Sequence, residues 1–407
     1  MYLYVARNFP IFDAENAFME SSPHPLILYL PRWYPTTVDP MLGLFVRKHA
    51  LAAVAGGYRV VVVFVQPGLP RRTKGMFSTE VIQTGDLTEV IVTYRRESGP
   101  AGMARQLTAW NLGVITAEQH CGKPSLIHAH VLTRTALLAW YFGRKWKIPY
   151  VITEHWSRYF AENRQYTGFV RKYLTRFAVR RAAETTCVSH RLAGAMQQCG
   201  VGQGFSLLPN VIDTDMFTIG EKRAEDPLIV SVTCFEEKSK NLKMLIDAFV
   251  MLRSVHKNAR LMLIGTGADL PQLEKYVRTL QLPAAAVTFT GLLEHEALVA
   301  RLQQASCLAL SSNYETFGIV AYEALACGVP VVATDVADLR SFLEPDMGIT
   351  VPVGDVKAFA GALLQVHRNL QQYNAATMRA KVETHFGFAA VSKQLSDLYH
   401  RLLNKNG

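Results

Sequence analysis

At 407 residues, 49% hydrophobic and 19% charged, the chain has length for two or three domains and too much apolar content for a disordered one. No apolar run approaches about 18 residues, which argues against a transmembrane helix. The six cysteines show no C-x-x-C pair and read as free thiols in a reducing cytoplasm. The net charge of +10 is unevenly placed: residues 1–210 hold 24 Lys+Arg against 12 Asp+Glu, while residues 211–407 hold 19 against 21. Such asymmetry points to an anionic partner for the first half.

In chain order, residues 1–25 carry Asp13, Glu15 and Glu20 and lack the apolar segment of a signal peptide. They read as an arm ahead of the first strand, Leu26 to Leu30, with Met19 as an alternative start. A Pro-rich loop follows, then Gly43 and a helix from Phe45 to Gly56. Arg59 to Val65 is a continuous apolar strand of the kind buried on both faces. Ser125 to His130 is another strand, followed by a helix over 133–147 and a strand over 150–153 that runs into Glu154 and His155. Ligands of open α/β sheets bind at the carboxyl ends of strands, where both His130 and His155 fall. Two histidines would make a metal pair, but no carboxylate or cysteine stands at convincing ligand spacing, so no metal is expected.

The stretch 167–183, TGFVRKYLTRFAVRRAA, repeats Phe169, Tyr173 and Phe177 every four residues, with Lys172, Arg176 and Arg180 beside them. Two readings stand: a surface helix with a packed apolar stripe, or an interfacial helix facing an anionic membrane. No nucleic-acid-binding motif accompanies the stripe, so nucleic acid is not expected as a partner. Thr185 to Val188 is a short strand, and Ser189 caps a helix running to about Cys199. Asp213-Thr-Asp215 falls in the interdomain linker and reads as an Asx-turn.

From about Pro227 strand and helix alternate: strand 228–233, helix 241–255, strand 261–264 with Gly265-Thr-Gly267, helix 270–280, strand 287–290, helix 296–305. That alternation predicts a parallel doubly wound sheet. Cys307 to Leu310 and Val329 to Ala333 are strands flanking a helix over Phe317 to Ala326 that Gly328 ends. Glu315 stands at the turn and Glu323 inside the helix. The N–H groups near Phe317, Gly318, Ile319 and Val320 lack internal acceptors, and this helix end suits a phosphate. Helices over 356–367 and about 389–403 close the chain.

E-T-F-G-I-V-A-Y-E with the following A-C-G-V-P-V-V-A-T-D resembles the E-x7-E motif of retaining GT-B glycosyltransferases, specifically glycosyltransferase family 4 (group 1). The resemblance spans roughly 26–403. It implies an α/β GT-B fold, two Rossmann-like doubly wound domains facing across a cleft: an acceptor domain over 26–212, a nucleotide-sugar domain over 213–388, and a final helix, 389–407, crossing back to the first. It further implies retaining transfer of a sugar from a nucleotide diphosphate sugar, UDP- or GDP-linked, to a glycan or lipid-linked glycan acceptor, without a cofactor or metal. The residues matching the family's pattern are His130, Glu315 and Lys240 as catalytic groups. Gly43 and the E-x7-E residues Phe317, Gly318, Ile319, Val320 and Glu323 match as donor contacts, Lys238 and the G-x-G of Gly265 and Gly267 are further candidate donor contacts, and His155 lines the cleft. Phe169, Lys172, Tyr173, Arg176 and Arg180 form the candidate membrane face.

One departure stands out. After the first strand of the second domain the family places an arginine on the donor diphosphate, and this chain has Cys234 there. A lost charge-assisted contact costs on the order of 1.5–3 kcal/mol, and Lys238 is the candidate substitute. The rival classes are a non-catalytic sugar-nucleotide or glycan binder of the same fold and a nucleotide-sugar epimerase or hydrolase.

Overall fold

The structure is a computed structural model describing residues 24–37, 39–70, 74–132, 134–220 and 226–404. The expected N-terminal arm lies outside the described residues, apart from its last two. The first domain runs β1 (Leu26–Pro31), α1 (Leu44–Ala55), β2 (Arg59–Pro67), β3 (Phe77–Thr84), β4 (Leu87–Tyr94), α2 (Gly99–Cys121), β5 (Leu126–His130), α3 (Arg134–Trp146), β6 (Tyr150–Glu154), a 3-10 turn (Ser157–Tyr159), α4 (Phe169–Arg181), β7 (Glu184–Cys187), α5 (His190–Gln198) and β8 (Ser206–Leu207). The second runs β9 (Leu228–Val232), α6 (Glu237–Lys240), α7 (Leu242–Val255), β10 (Arg260–Ile264), α8 (Leu270–Thr279), β11 (Val287–Phe289), α9 (His295–Gln303), β12 (Cys307–Leu310), α10 (Ile319–Ala326), β13 (Val331–Thr334), α11 (Leu339–Phe342), β14 (Gly348–Val351), α12 (Val356–Arg368) and α13 (Ala375–Phe386). Last comes α14 (Phe388–Asn404).

Strand order in the first sheet is β3-β4-β2-β1-β5-β6-β7-β8, parallel except for the β3–β4 hairpin. The apolar run of β2 divides between two cores because alternate side chains face opposite sheet sides. Val61, Val63 and Val65 join α2 and α3 on one side, while Val60, Val62 and Phe64 join α1 and α14 on the other. The second sheet, β11-β10-β9-β12-β13-β14, is parallel throughout and almost uniformly apolar, as expected for strands covered on both faces.

Both sheets reverse strand order beside their first strand, between β1 and β5 and between β9 and β12. These two switch points open crevices at the strand carboxyl ends. The domains meet there. Lys238 Nζ donates to the Asn163 carbonyl at 3.2 Å, and Phe160 packs on Tyr314. The Asp338 carboxylate caps α5 from the other domain, accepting from the His190 and Arg191 N–H groups at 2.7 and 3.1 Å. α14 returns to the first domain and packs on α1, where the Tyr399 and Tyr29 hydroxyls share a 2.6 Å hydrogen bond.

Candidate functional site

The second crevice is built from two loops that dock on each other. The loop after β9 curls into the single turn α6, and the loop after β12 carries Ser311 to Glu315. Ser311 Oγ donates to the Lys240 carbonyl at 2.7 Å, and Asn313 Nδ2 donates to the Lys238 carbonyl at 2.9 Å. The docking aims Lys240 Nζ at Glu315 Oε1, 2.5 Å away, and Ser312 Oγ donates to the same oxygen at 2.8 Å. Burial works against the Lys240 charge, but the Glu315 carboxylate outweighs it and raises the ammonium pKa. A held cation therefore stands beside the N-terminal end of α10.

Gly318 is the N-cap of α10, left-handed at φ 78, so the helix begins at Ile319 rather than at Phe317 as the periodicity suggested. The N–H groups left without an intrahelical acceptor belong to Gly318, Ile319 and Val320, because the Ala321 N–H already bonds the Gly318 carbonyl. Phe317 is buried against Tyr322 and Phe386 and anchors the turn. Glu323 lies one face further along. Burial pushes its pKa up, Asp213 adds to the shift, and Lys48 of the first domain opposes it.

Several glycine positions have internal reasons. A Cβ on Gly265 would stand 1.9 Å from the Thr233 carbonyl oxygen, and one on Gly267 would stand 2.4 Å from that of Phe235. The G-x-G thus lets the loops after β9 and β10 touch. Gly43 caps α1 at φ 67, with its Cβ position 2.3 Å from the Trp33 carbonyl, so its close approach is to the chain's own backbone. Lys238 reaches across to Asn163 and ties the two domains together. Cys234 is exposed and close enough to bear on the Lys240 and Tyr314 charges. The Asp213 carboxylate accepts from the Met216 N–H at 3.1 Å, a local turn.

Facing this crevice, His130 and His155 do come together, Nδ1 to Nε2 at 3.2 Å, but inside a larger cluster. His49 from α1 has ring centroids 5.7 and 5.6 Å from them, and His128 stacks on His130 at 4.1 Å. His128 is satisfied on both nitrogens, by Tyr399 OH at 2.7 Å and Thr153 Oγ1 at 2.6 Å. His49 Nε2 donates to the Pro209 carbonyl at 2.8 Å. Left without partners are His49 Nδ1, His130 Nε2 and His155 Nδ1, Asn210 standing beside the last without completing a hydrogen bond. Burial holds all four imidazoles neutral, His49 pushed down to about 4 and the others well below the usual value. One nitrogen from each of His49, His130 and His155 lies within 4.8 Å of the others. Tetrahedral metal ligands stand about 3.3 Å apart, so these rings would have to close in to hold an ion.

The sequence reading assigned no role to His49, His128, Lys48 or Glu154. Glu154 is fully buried and accepts from the Leu132, His155 and Trp156 N–H groups and the Tyr159 hydroxyl at 2.8 to 3.1 Å. It fixes the loops that carry His155 and Trp156. The E-H-W triplet at a strand end was the available signal.

On α4 the expected face divides. Phe169 and Tyr173 are exposed by 84% and 59%, with Val170 and Leu174 beside them. Arg180 is exposed, Lys172 is half-buried, and Phe177 packs on Trp140. Arg176 turns inward and donates to the Cys199 carbonyl at 3.1 Å, so it does not belong to the exposed cations.

Two Rossmann-like domains with their crevices opposed, one holding a lysine–carboxylate pair at a helix N-terminus, define a GT-B glycosyltransferase. The Glycosyltransferase Family 4 model matches residues 43–216 and the Glycosyl transferases group 1 model matches 213–382; the chain belongs to this family. It is 25% identical over 403 residues to a glycogen synthase of Mycobacterium tuberculosis, covering 92% of this chain and 94% of the relative. Among solved structures it resembles the sucrose-phosphate synthase of Thermosynechococcus elongatus (TM-score 0.75, 21% identity, 94% of this chain and 100% of that one). It also resembles Anabaena HepE in complex with UDP-glucose (TM-score 0.67, 18% identity, 93% and 100%). Both likenesses concern the fold.

Proposed function

We propose that this glycosyltransferase moves a hexose from a UDP- or GDP-sugar to a glycan hydroxyl with retention of the anomeric configuration and without a metal. The observation that carries this reading is the Lys240–Glu315 pair at the start of α10. When the donor binds, Lys240 and the Gly318, Ile319 and Val320 N–H groups take the diphosphate. Glu315 takes sugar hydroxyls and Glu323 the ribose. The C1–O bond to the phosphate breaks, the new bond to the acceptor oxygen forms on the same face, and the departing phosphate oxygen receives the acceptor proton. Preorganised cations and backbone dipoles supply the leaving-group stabilisation that a metal supplies elsewhere. His130, held neutral, serves as a hydrogen-bonding group beside the donor sugar.

The acceptor belongs to the first domain and is a lipid-linked saccharide of a bacterial surface polysaccharide or glycolipid. No helix among the described residues is long and apolar enough to cross a membrane. Exposed Phe169, Val170 and Tyr173, with Lys172 and Arg180 nearby, would give peripheral docking on the cytoplasmic leaflet. The test is incubation with radiolabelled nucleotide sugars and a lipid extract. Label moving into the lipid fraction is expected. Free sugar or an epimer alone indicates the hydrolase or epimerase class, and binding without turnover indicates a sugar-nucleotide binder.

A further inference from the structure

The crevice between β1 and β5 collects cations that the transfer chemistry does not use. Arg32 follows β1 directly, its N–H bonded to the His130 carbonyl at 3.2 Å. Arg134 opens α3, immediately beyond β5. Arg158 comes from the turn after β6 and donates through Nη2 to the Leu132 carbonyl at 3.0 Å. Trp156 gathers two of them: the Arg158 guanidinium carbon is 3.7 Å from its ring centroid and that of Arg32 is 5.1 Å away. Among the described residues, none of the three forms an ion pair with a carboxylate within 4.0 Å.

Arg158 is the decisive residue. It is 4% exposed, and its buried Nε has no hydrogen-bond partner. A buried cation with an unmet donor is costly unless an anion completes it. Glu154, the acid whose charge reaches Arg32, is already committed to three backbone N–H groups and the Tyr159 hydroxyl. The pKa of Arg32 is lowered by partial burial and then by the neighbouring Arg158 and Arg134 charges. Beside the cations stand half-buried Trp33, Trp156 and Phe45. Trp33 meets Trp156 edge-on at 5.2 Å, and Phe45 packs on His155 at 4.6 Å. Aromatic faces next to guanidinium forks form a surface for a sugar ring that bears an anion. Three guanidiniums in one crevice exceed what one carboxylate neutralises and suit a phosphate, which carries about −1.5 to −2.

We infer that the β1–β5 crevice is an acceptor subsite for a phosphate-bearing saccharide, its phosphate held by Arg32, Arg134 and Arg158 and its ring laid against Trp33 and Trp156. The inference rests on the assignment of the acceptor to the first domain. It adds that the acceptor is anionic at the saccharide itself. The phosphate can belong to a soluble sugar phosphate or to a glycosylated phospholipid headgroup, and the two present the same oxygens to the arginines.

The experiment is calorimetry on the full chain preloaded with saturating UDP, so that phosphate cannot report on the donor crevice. The titrants are glucose, glucose 6-phosphate and monomeric dioctanoyl phosphatidylglycerol. Glucose 6-phosphate is expected to bind at least tenfold more tightly than glucose and to weaken with salt. Arg32→Gln and Arg134→Gln, both at exposed positions, should each weaken it about tenfold while UDP affinity stays within twofold of wild type. Tighter binding of the phospholipid assigns the phosphate to a lipid-linked acceptor, and tighter binding of the sugar phosphate to a soluble one; either supports the subsite. Equal binding of glucose and glucose 6-phosphate, or unchanged affinity in both arginine variants, overturns it. Failure of the preload itself would count against the donor site instead and is read separately.

Discussion

The two switch-point crevices have the same topology and opposite electrostatics. In the second domain Lys240 is matched by Glu315 at 2.5 Å, and each of the two side chains is mostly buried. In the first, Arg32, Arg134 and Arg158 stand beside histidines held neutral, with buried nitrogens left open at His130, His155 and Arg158. A crevice whose charges already compensate each other is stable when empty and holds its cation in place before a diphosphate arrives. A crevice with a surplus of one sign is completed by what it binds. On the proposed function, the comparison separates a site that stabilises a leaving group from a site that recognises a partner.

The largest effect expected from breaking the comparison is at Lys240. Lys240→Met removes the cation proposed to meet the leaving phosphate and should lower turnover by about 10²–10³, the scale of losing one preorganised charge stabiliser. It also strands the Glu315 carboxylate, so thermal stability should fall with it. Because the native Lys240 pKa is raised, its stabilisation is complete below the unfolded lysine value near 10.4 and is lost as pH rises through the folded value. Calorimetric melts of wild type and variant across pH 8–11 check this; parallel melts would show that the pair contributes nothing.

A second, acid-side effect belongs to the first domain. Its four buried histidines have lowered pKa values, so the unfolded chain binds more protons below about pH 6.5, and stability falls as pH drops. His49 alone, at about 4 in the fold, should cost on the order of 3 kcal/mol once the pH is below that value. Glu323 has the opposite sign: its raised pKa means that protonation relieves burial, so the second domain gains slightly as pH falls through that value. Hydrogen exchange at pH 7 and pH 5 should show loss of protection in β5 and β6 before β12 and β13. Uniform loss in both domains would remove the distinction.

Much of this comparison was written in the chain. The βαβ unit around Glu315 and the apolar core strands follow from periodicity, and the two-domain division from the family resemblance. The β3–β4 hairpin and α2 went unassigned. β3, F-S-T-E-V-I-Q-T, is an exposed edge strand with no apolar alternation to announce it, although the Gly85-Asp86 pair that turns it is a hairpin signal. The histidine cluster was half visible. His130 and His155 end adjacent strands, but His49 arrives from a helix and is fixed by Pro209, 160 positions away. No local spacing encodes that meeting. Nor does spacing say that Lys238 bonds Asn163, or that Arg176 turns inward.

Smaller effects sharpen the donor side. Cys234→Arg places a cation in an exposed position beside Lys240 and should tighten nucleoside diphosphate binding two- to tenfold, most at low salt. Unchanged affinity in titrations at 20 and 200 mM salt would mean that the site needs no second cation. On the surface, Lys172 and Arg180 changed together to Glu should reduce co-sedimentation with anionic vesicles by several-fold and leave binding to neutral vesicles unchanged. If wild type and variant pellet alike, α4 is ordinary solvated surface.

The central claim is that the two carboxylates of the 315–323 stretch act at different stages, Glu315 on the sugar as the bond breaks and Glu323 on the nucleotide. Steady-state kinetics of Glu315→Ala and Glu323→Ala, combined with direct measurement of nucleoside diphosphate affinity, tests it most directly. Glu315→Ala should lower kcat about a hundredfold with little change in nucleotide affinity, and Glu323→Ala should weaken nucleotide binding about tenfold with kcat largely kept. Equal, small effects of both changes on folded protein would contradict the account.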